Sequence, residues 1–118
     1  MAKLSTHVLD TMHGQPAVAM SFALFRIGSD GSVTPLRSGQ TNADGRADAP
    51  LLSGAEVHAG RYRLVFQVAA YYRKLGVALP EPPFLDQVSL DFGIGDDGGN
   101  YHVPLVCTPW SYSTYRGS

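Results

Sequence analysis

The chain has 118 residues, 44% hydrophobic and 16% charged, with nine basic against ten acidic residues and a formal net charge of -1. That length buries a core without staples and is expected to form one domain over residues 1–118, while the balanced charge excludes the basic footprint of a nucleic-acid binder. No apolar run reaches the roughly 20 residues that span a bilayer, and a single Cys107 excludes an intramolecular disulfide.

In chain order, Lys3 to Asp10 predicts a short strand that ends before the turn residues Gly14-Gln15-Pro16. Ala17 to Ile27 is the clearest strand pattern. Val18, Met20, Phe22 and Leu24 share one face and Ala19, Ser21, Ala23 and Phe25 the other, so both faces are expected to be covered. Ser29-Asp30-Gly31-Ser32 predicts a hairpin turn, because Asp-Gly tolerates positive φ. Val33 to Thr41 returns as a strand, and Pro35 places it at an edge or an end. Asn42-Ala43-Asp44-Gly45 is a second turn that presents Arg46 to the segment after it. Gly60 to Val68 alternates again, with Tyr62, Leu64, Phe66 and Val68 on the apolar face.

Only Ala69 to Leu75 reads as helix, and Gly76 stops it. Pro80, Pro82 and Pro83 impose an extended crossing. Phe84 to Phe92 predicts a strand, Gly93 to Asn100 a glycine-rich turn and Tyr101 to Pro109 a further strand. The last seven residues, Tyr112 to Ser118, alternate like a strand and carry two tyrosines and a cation, unlike a disordered tail. Such a strand delivers Arg116 and the C-terminus to a fixed place. Seven or eight short strands and one short helix predict an all-β fold, a two-sheet antiparallel β-sandwich.

The phosphate-loop, paired-cysteine and serine-hydrolase signatures are absent from the sequence. Four histidines remain as candidates for proton transfer near neutral pH. His13 and His58 sit in or near turns and read as solvated. His7 and His102 lie within or at the start of strands and are harder to dismiss as surface groups. The spacing holds no His-x-His or His-x-x-x-His pair, so no metal site is predicted. Arg46, presented by its turn, can orient an anion or a carbonyl through a planar fork, or stand as a solvated cation. Cys107 has no basic neighbour in sequence and reads as a small packed residue rather than a nucleophile.

Several separated motifs resemble one family in the same order. Leu4-Ser5-Thr6-His7-Val8-Leu9-Asp10-Thr11 with Gly14-Gln15-Pro16-Ala17 resembles the opening of the transthyretin-like 5-hydroxyisourate hydrolases. The Thr41-Asn42-Ala43-Asp44-Gly45-Arg46 turn, Gly60-Arg61-Tyr62-Arg63-Leu64 and Tyr101-His102-Val103-Pro104-Leu105 follow, and the chain ends on the signature Tyr115-Arg116-Gly117-Ser118. The resemblance implies a homotetramer, a dimer of dimers, with active sites in the channel where dimers meet. It implies His7, Arg46 and His102 as the catalytic group and Thr108, Tyr115, Arg116, Gly117 and Ser118 as substrate-binding residues. The implied reaction opens the ring of 5-hydroxyisourate in urate breakdown, with no cofactor. Two stretches depart from the family pattern. Cys107-Thr108-Pro109-Trp110-Ser111 stands where relatives often have Leu-Ser-Pro-Tyr-Gly, and Pro83-Phe84-Leu85-Asp86 replaces a more usual Pro-Phe-Phe-Pro.

Two other classes compete. A non-enzymatic transthyretin-like carrier of a small aromatic ligand would use the same sandwich, but such carriers lack the terminal tetrapeptide and this histidine pair. A purely structural interaction module gives no reason for that set of polar residues. Met1 to His7 lacks the apolar stretch of a signal peptide, so a soluble cytoplasmic protein is expected, with a small-molecule substrate and neither nucleic acid nor membrane as partner.

Overall fold

The structure, a computed structural model, describes residues 2–96 and 98–117. In chain order its elements are β1 (Lys3–Asp10), β2 (Gln15–Pro16), β3 (Ser21–Ile27), β4 (Val33–Gln40), β5 (Leu52–Ser53), a 3-10 turn (Gly54–Glu56), β6 (Gly60–Gln67), α1 (Val68–Lys74), β7 (Gln87–Ile94), β8 (Asn100–Cys107) and β9 (Tyr112–Thr114). They form two sheets, ordered β2-β1-β8-β9 with β5 also on β1, and β4-β3-β6-β7. The fold is an all-β sandwich with one short helix.

Period-2 alternation decides which side chains enter the core. From the first sheet come Leu4 and Val8, then Val103, Leu105 and Cys107; Tyr62, Leu64, Phe66, Val88 and Leu90 meet them from the second. Each large apolar side chain so buried contributes about 1.5–3 kcal/mol. The same alternation turns Ser5, His7 and His102 to the opposite, outer face of the first sheet, where each is half-buried. That outer face carries the candidate site residues His7 and His102.

Several expectations are corrected. The sandwich is not wholly antiparallel, because β1 and β8 pair in parallel, Lys3 opposite Asn100 through Asp10 opposite Cys107. A parallel pair needs a long crossover, and here the rest of the molecule supplies it. The strand predicted over Ala17–Ile27 begins only at Ser21. Ala19 takes a left-handed φ of 61°, and its N–H turns to the Thr41 carbonyl. Val18, expected beside Met20 in the core, is therefore exposed, while Met20, Phe22 and Leu24 are buried. The partner strand β4 bulges at Leu36, opposite Leu24 and Phe25, while β3 keeps an unbroken register on β6, and Ile27 at the end of the strand is buried. The outer face of this strand, Ser21, Ala23 and Phe25, is only half-buried.

The strand predicted from Phe84 starts at Gln87, and Phe84 instead stands 68% exposed against Trp110, ring centroids 5.9 Å apart. The predicted tail strand stops at Thr114. Carried one residue further, its register on β8 sets Tyr115 opposite Pro104, which has no N–H to give. Thr114 Oγ1 donates to the Pro104 carbonyl instead, at 2.7 Å, and contact resumes where Gly117 N–H donates to the His102 carbonyl at 2.8 Å. Ser118 lies outside the described residues. His13 is not simply solvated, since its Nδ1 lies 2.7 Å from the fully buried Asp10 carboxylate. His58 is exposed.

Candidate active site

The Asn42–Arg46 turn is held on β1 by its own side-chain bonds, by a close glycine approach and by a backbone bond to the strand. Asn42 Oδ1 accepts the N–H groups of Asp44 and Arg46, at 2.9 and 3.1 Å, which closes the loop on itself. Gly45 holds a φ of +77°, and a Cβ there would lie 2.5 Å from the Val8 carbonyl oxygen. Val8 N–H donates to the Gly45 carbonyl at 2.8 Å, so the turn is stitched to β1 one residue past His7. Beneath it, buried Thr41 donates to the Ala17 carbonyl and accepts the Met20 N–H.

This docking brings Arg46 across from His7 as an isolated β-bridge. His7 Nε2–H donates to the Asp44 carbonyl at 2.9 Å. A carbonyl only accepts, so Nε2 carries a proton and Nδ1 of a neutral His7 is the acceptor. His102 arrives from the neighbouring strand, its ring centroid 6.5 Å from that of His7. Ser5 Oγ lies 2.9 Å from His102 Nδ1. A cavity of about 160 Å³, lined in part by Lys3, Ser5, Arg46 and Asp48, adjoins the group. Two imidazoles and a guanidinium on one open face can hold water, move its proton and steady a developing negative charge.

The His102 ring is held below the 6.5 of a free histidine, first by burial, then by the Arg46 charge and by His7. It is therefore neutral at neutral pH. The folded chain binds this proton less readily than the unfolded one, so this contribution to stability is lost as pH falls through 6.5 toward the lower folded value. An NMR titration is expected to place His102 below 6.5 in the wild type and at a higher pH in Arg46→Met. An unmoved midpoint would show that Arg46 exerts no field at this ring.

The other predicted site residues are placed as follows. Gly117 sits directly on His102; a Cβ there would come within 2.8 Å of the ring Cδ2. Tyr115 and Arg116 line a different cavity of about 410 Å³, between β7 and the tail, with Phe92, Tyr101 and Tyr112. The Arg116 guanidinium covers the Tyr101 ring at 4.4 Å and donates to the Asn100 carbonyl. Thr108 lies past the far end of β8, where its hydroxyl accepts the N–H groups of Trp110 and Ser111 in a tight turn. Cys107 is buried, and burial pushes its thiol up to about 11, which makes it an inert packed group. Among the described residues no three His, Cys, Asp or Glu side chains are grouped to hold a metal, and no helix is long and apolar enough to cross a membrane. Sequence reasoning missed Ser5, although it shares the outer face with His7 two residues away.

The model of the HIUase/Transthyretin family matches residues 4–117. A 5-hydroxyisourate hydrolase of Ralstonia nicotianae is 52% identical over 118 residues, covering all of both chains. Among solved structures, an (S)-allantoin synthase superposes with a TM-score of 0.93 at 40% identity over 99% of this chain, which spans 44% of that longer one. Sea bream transthyretin in complex with thyroxine superposes with a TM-score of 0.87 at 27% identity, covering 98% of this chain and 95% of that one.

Proposed function

This chain belongs to the HIUase/transthyretin family, and we propose that it is the hydrolase of 5-hydroxyisourate within that family. The product is 2-oxo-4-hydroxy-4-carboxy-5-ureidoimidazoline, formed by opening a cyclic amide in urate breakdown. The observation that carries this reading is the 52% identity, end to end, with a 5-hydroxyisourate hydrolase. The carrier alternative shares the fold, but a fold does not fix a function, and it leaves the paired imidazoles beside Arg46 without a purpose.

In this reading His7, Arg46 and His102 are the catalytic group. A water oxygen bonds to the acyl carbon while an imidazole takes its proton, and Arg46 steadies the oxyanion. The ring C–N bond then breaks, and the imidazole returns the proton to the departing nitrogen. No cofactor enters these steps. Thr108, Tyr115, Arg116, Gly117 and Ser118 are assigned to the substrate pocket on the family resemblance. Within one chain the support is the Gly117 contact on His102, while Thr108, Tyr115 and Arg116 lie away from the histidine pair.

We read the working unit as a cytoplasmic homotetramer, a dimer of dimers. The terminal strands β7 and β9 leave sheet edges that a second copy can pair with, and Phe84, Trp110, Tyr112 and Tyr115 are exposed beside them. An ultraviolet time course on 5-hydroxyisourate made fresh from urate tests the function. The full chain is expected to accelerate decay well beyond the spontaneous rate, and a chain ending at Thr114 to lose most of that acceleration. A folded full-length chain that leaves the spontaneous rate unchanged overturns the enzyme reading.

A further inference from the structure

We propose that Ser5 is a positioning residue that holds His102 as its Nδ1–H tautomer and so leaves Nε2 free to take a proton. This rests on the hydrolase reading for its consequence, though the geometry stands by itself. Parallel pairing sets Ser5 directly opposite His102, and both side chains rise from the same face. Their Oγ···Nδ1 separation is 2.9 Å, a full hydrogen bond. Which nitrogen of a neutral imidazole carries the proton is decided by the bond the other nitrogen makes.

A serine hydroxyl can donate to a bare Nδ1 or accept from Nδ1–H, and the charge acting on the ring favours the second. The Arg46 charge acts on this ring, and a guanidinium offers donors only, so the ring nitrogen not bonded to Ser5 serves best as an acceptor. Ser5 then accepts from Nδ1–H. The Gly117 backbone lies close against the ring, where a Cβ on Gly117 would meet the His102 Cδ2, Cβ and Cγ at 2.8, 3.1 and 3.2 Å. A half-turn of the ring would put the Cδ2 carbon in place of Nδ1 and forfeit the bond to Ser5. Gly117 N–H in turn holds the His102 carbonyl. Ring and backbone are thus fixed from two sides by Ser5 and by the tail. When Nε2 takes the proton of the attacking water, the ring becomes a cation and its Nδ1–H bond to Ser5 strengthens. That proton passes to the nitrogen released when the C–N bond breaks, which restores the starting tautomer.

The test combines a spectrum of the resting protein with steady-state kinetics. Nitrogen-15 NMR of His102 in the wild type is expected to show a protonated Nδ1 and a bare Nε2. Ser5→Ala is expected to shift the population toward Nε2–H and to lower kcat about tenfold with KM within about twofold, the scale of one lost hydrogen bond. Ser5→Thr, which keeps the hydroxyl and suits a strand, is expected to keep both tautomer and kcat. A bare Nδ1 in the wild type overturns the proposal, and so does a Ser5→Ala chain with unchanged tautomer and kcat. A loss of kcat that Ser5→Thr shares in full also overturns it. The tautomer is read without substrate, so a wild type that fails to hydrolyse 5-hydroxyisourate would sink the reaction reading while the spectrum still decides the role of Ser5.

Discussion

Replacing His102 with alanine is expected to lower kcat on 5-hydroxyisourate about a thousandfold, within the range that one general acid–base group supplies. The effect should fall on kcat rather than KM, because a proton acceptor acts chiefly on the transition state. His102 is singled out over His7 by what each ring is already doing. His7 spends its Nε2–H on the Asp44 carbonyl and so helps hold the turn that carries Arg46. His7→Ala is therefore expected to disturb Arg46 as well, raising KM and lowering kcat together. His102→Ala also removes the ring on which Gly117 rests, so a denaturant midpoint and an assembly measurement must accompany the kinetics. A folded, fully assembled His102→Ala chain with wild-type kcat would remove His102 from the mechanism.

The sequence carried the parts of this site that depend on local chemistry. Asn42 and Gly45 are legible because an Asx turn and a residue at positive φ need those types; Arg46 is presented by the turn they make, which the Asn42 side chain closes. The faces of β1, β6 and β8 are legible because each alternates with period two. What remained hidden is what depends on pairing. Nothing in Lys3–Asp10 or Asn100–Cys107 states that the two strands run side by side in parallel, yet that pairing sets Ser5 against His102. Alternation alone extended the last strand through residue 118, because the pattern of the tail does not show that Pro104 stands opposite Tyr115. The same blindness to partners read His13 as solvated. Its turn is exposed, but the carboxylate it holds belongs to β1 and faces the core.

That carboxylate leads to the second large effect. Asp10→Ala is expected to destabilise the chain by about 4 kcal/mol, as when one partner of a buried charged network is removed. Asp10 is fully buried and accepts from Tyr71 and Tyr72 hydroxyls at 2.8 Å each, from His13 N–H at 3.1 Å and from the His13 ring at 2.7 Å. Burial alone would raise its pKa, but the bonds from His13, Tyr71 and Tyr72 overcome it and hold the carboxyl below the ordinary range. The stabilisation is therefore present above the unfolded value near 3.8 and is lost as pH falls through the lower folded one. The network joins the two layers, because both tyrosines belong to α1, which follows β6 of the second sheet, and Asp10 ends β1 of the first. Without the carboxylate the Tyr71 hydroxyl loses its acceptor there, while Tyr72 keeps only the Cys107 carbonyl at 3.1 Å and the thiol. Asp10→Asn should cost less, since the amide oxygen still accepts while its NH2 meets donors. Urea unfolding at fixed protein concentration measures both, and an Asp10→Ala midpoint equal to wild type would show that α1 is held by its apolar contacts alone. His7 stands three residues upstream on the opposite face of β1, so kcat of the folded variant is expected to change far less than its stability.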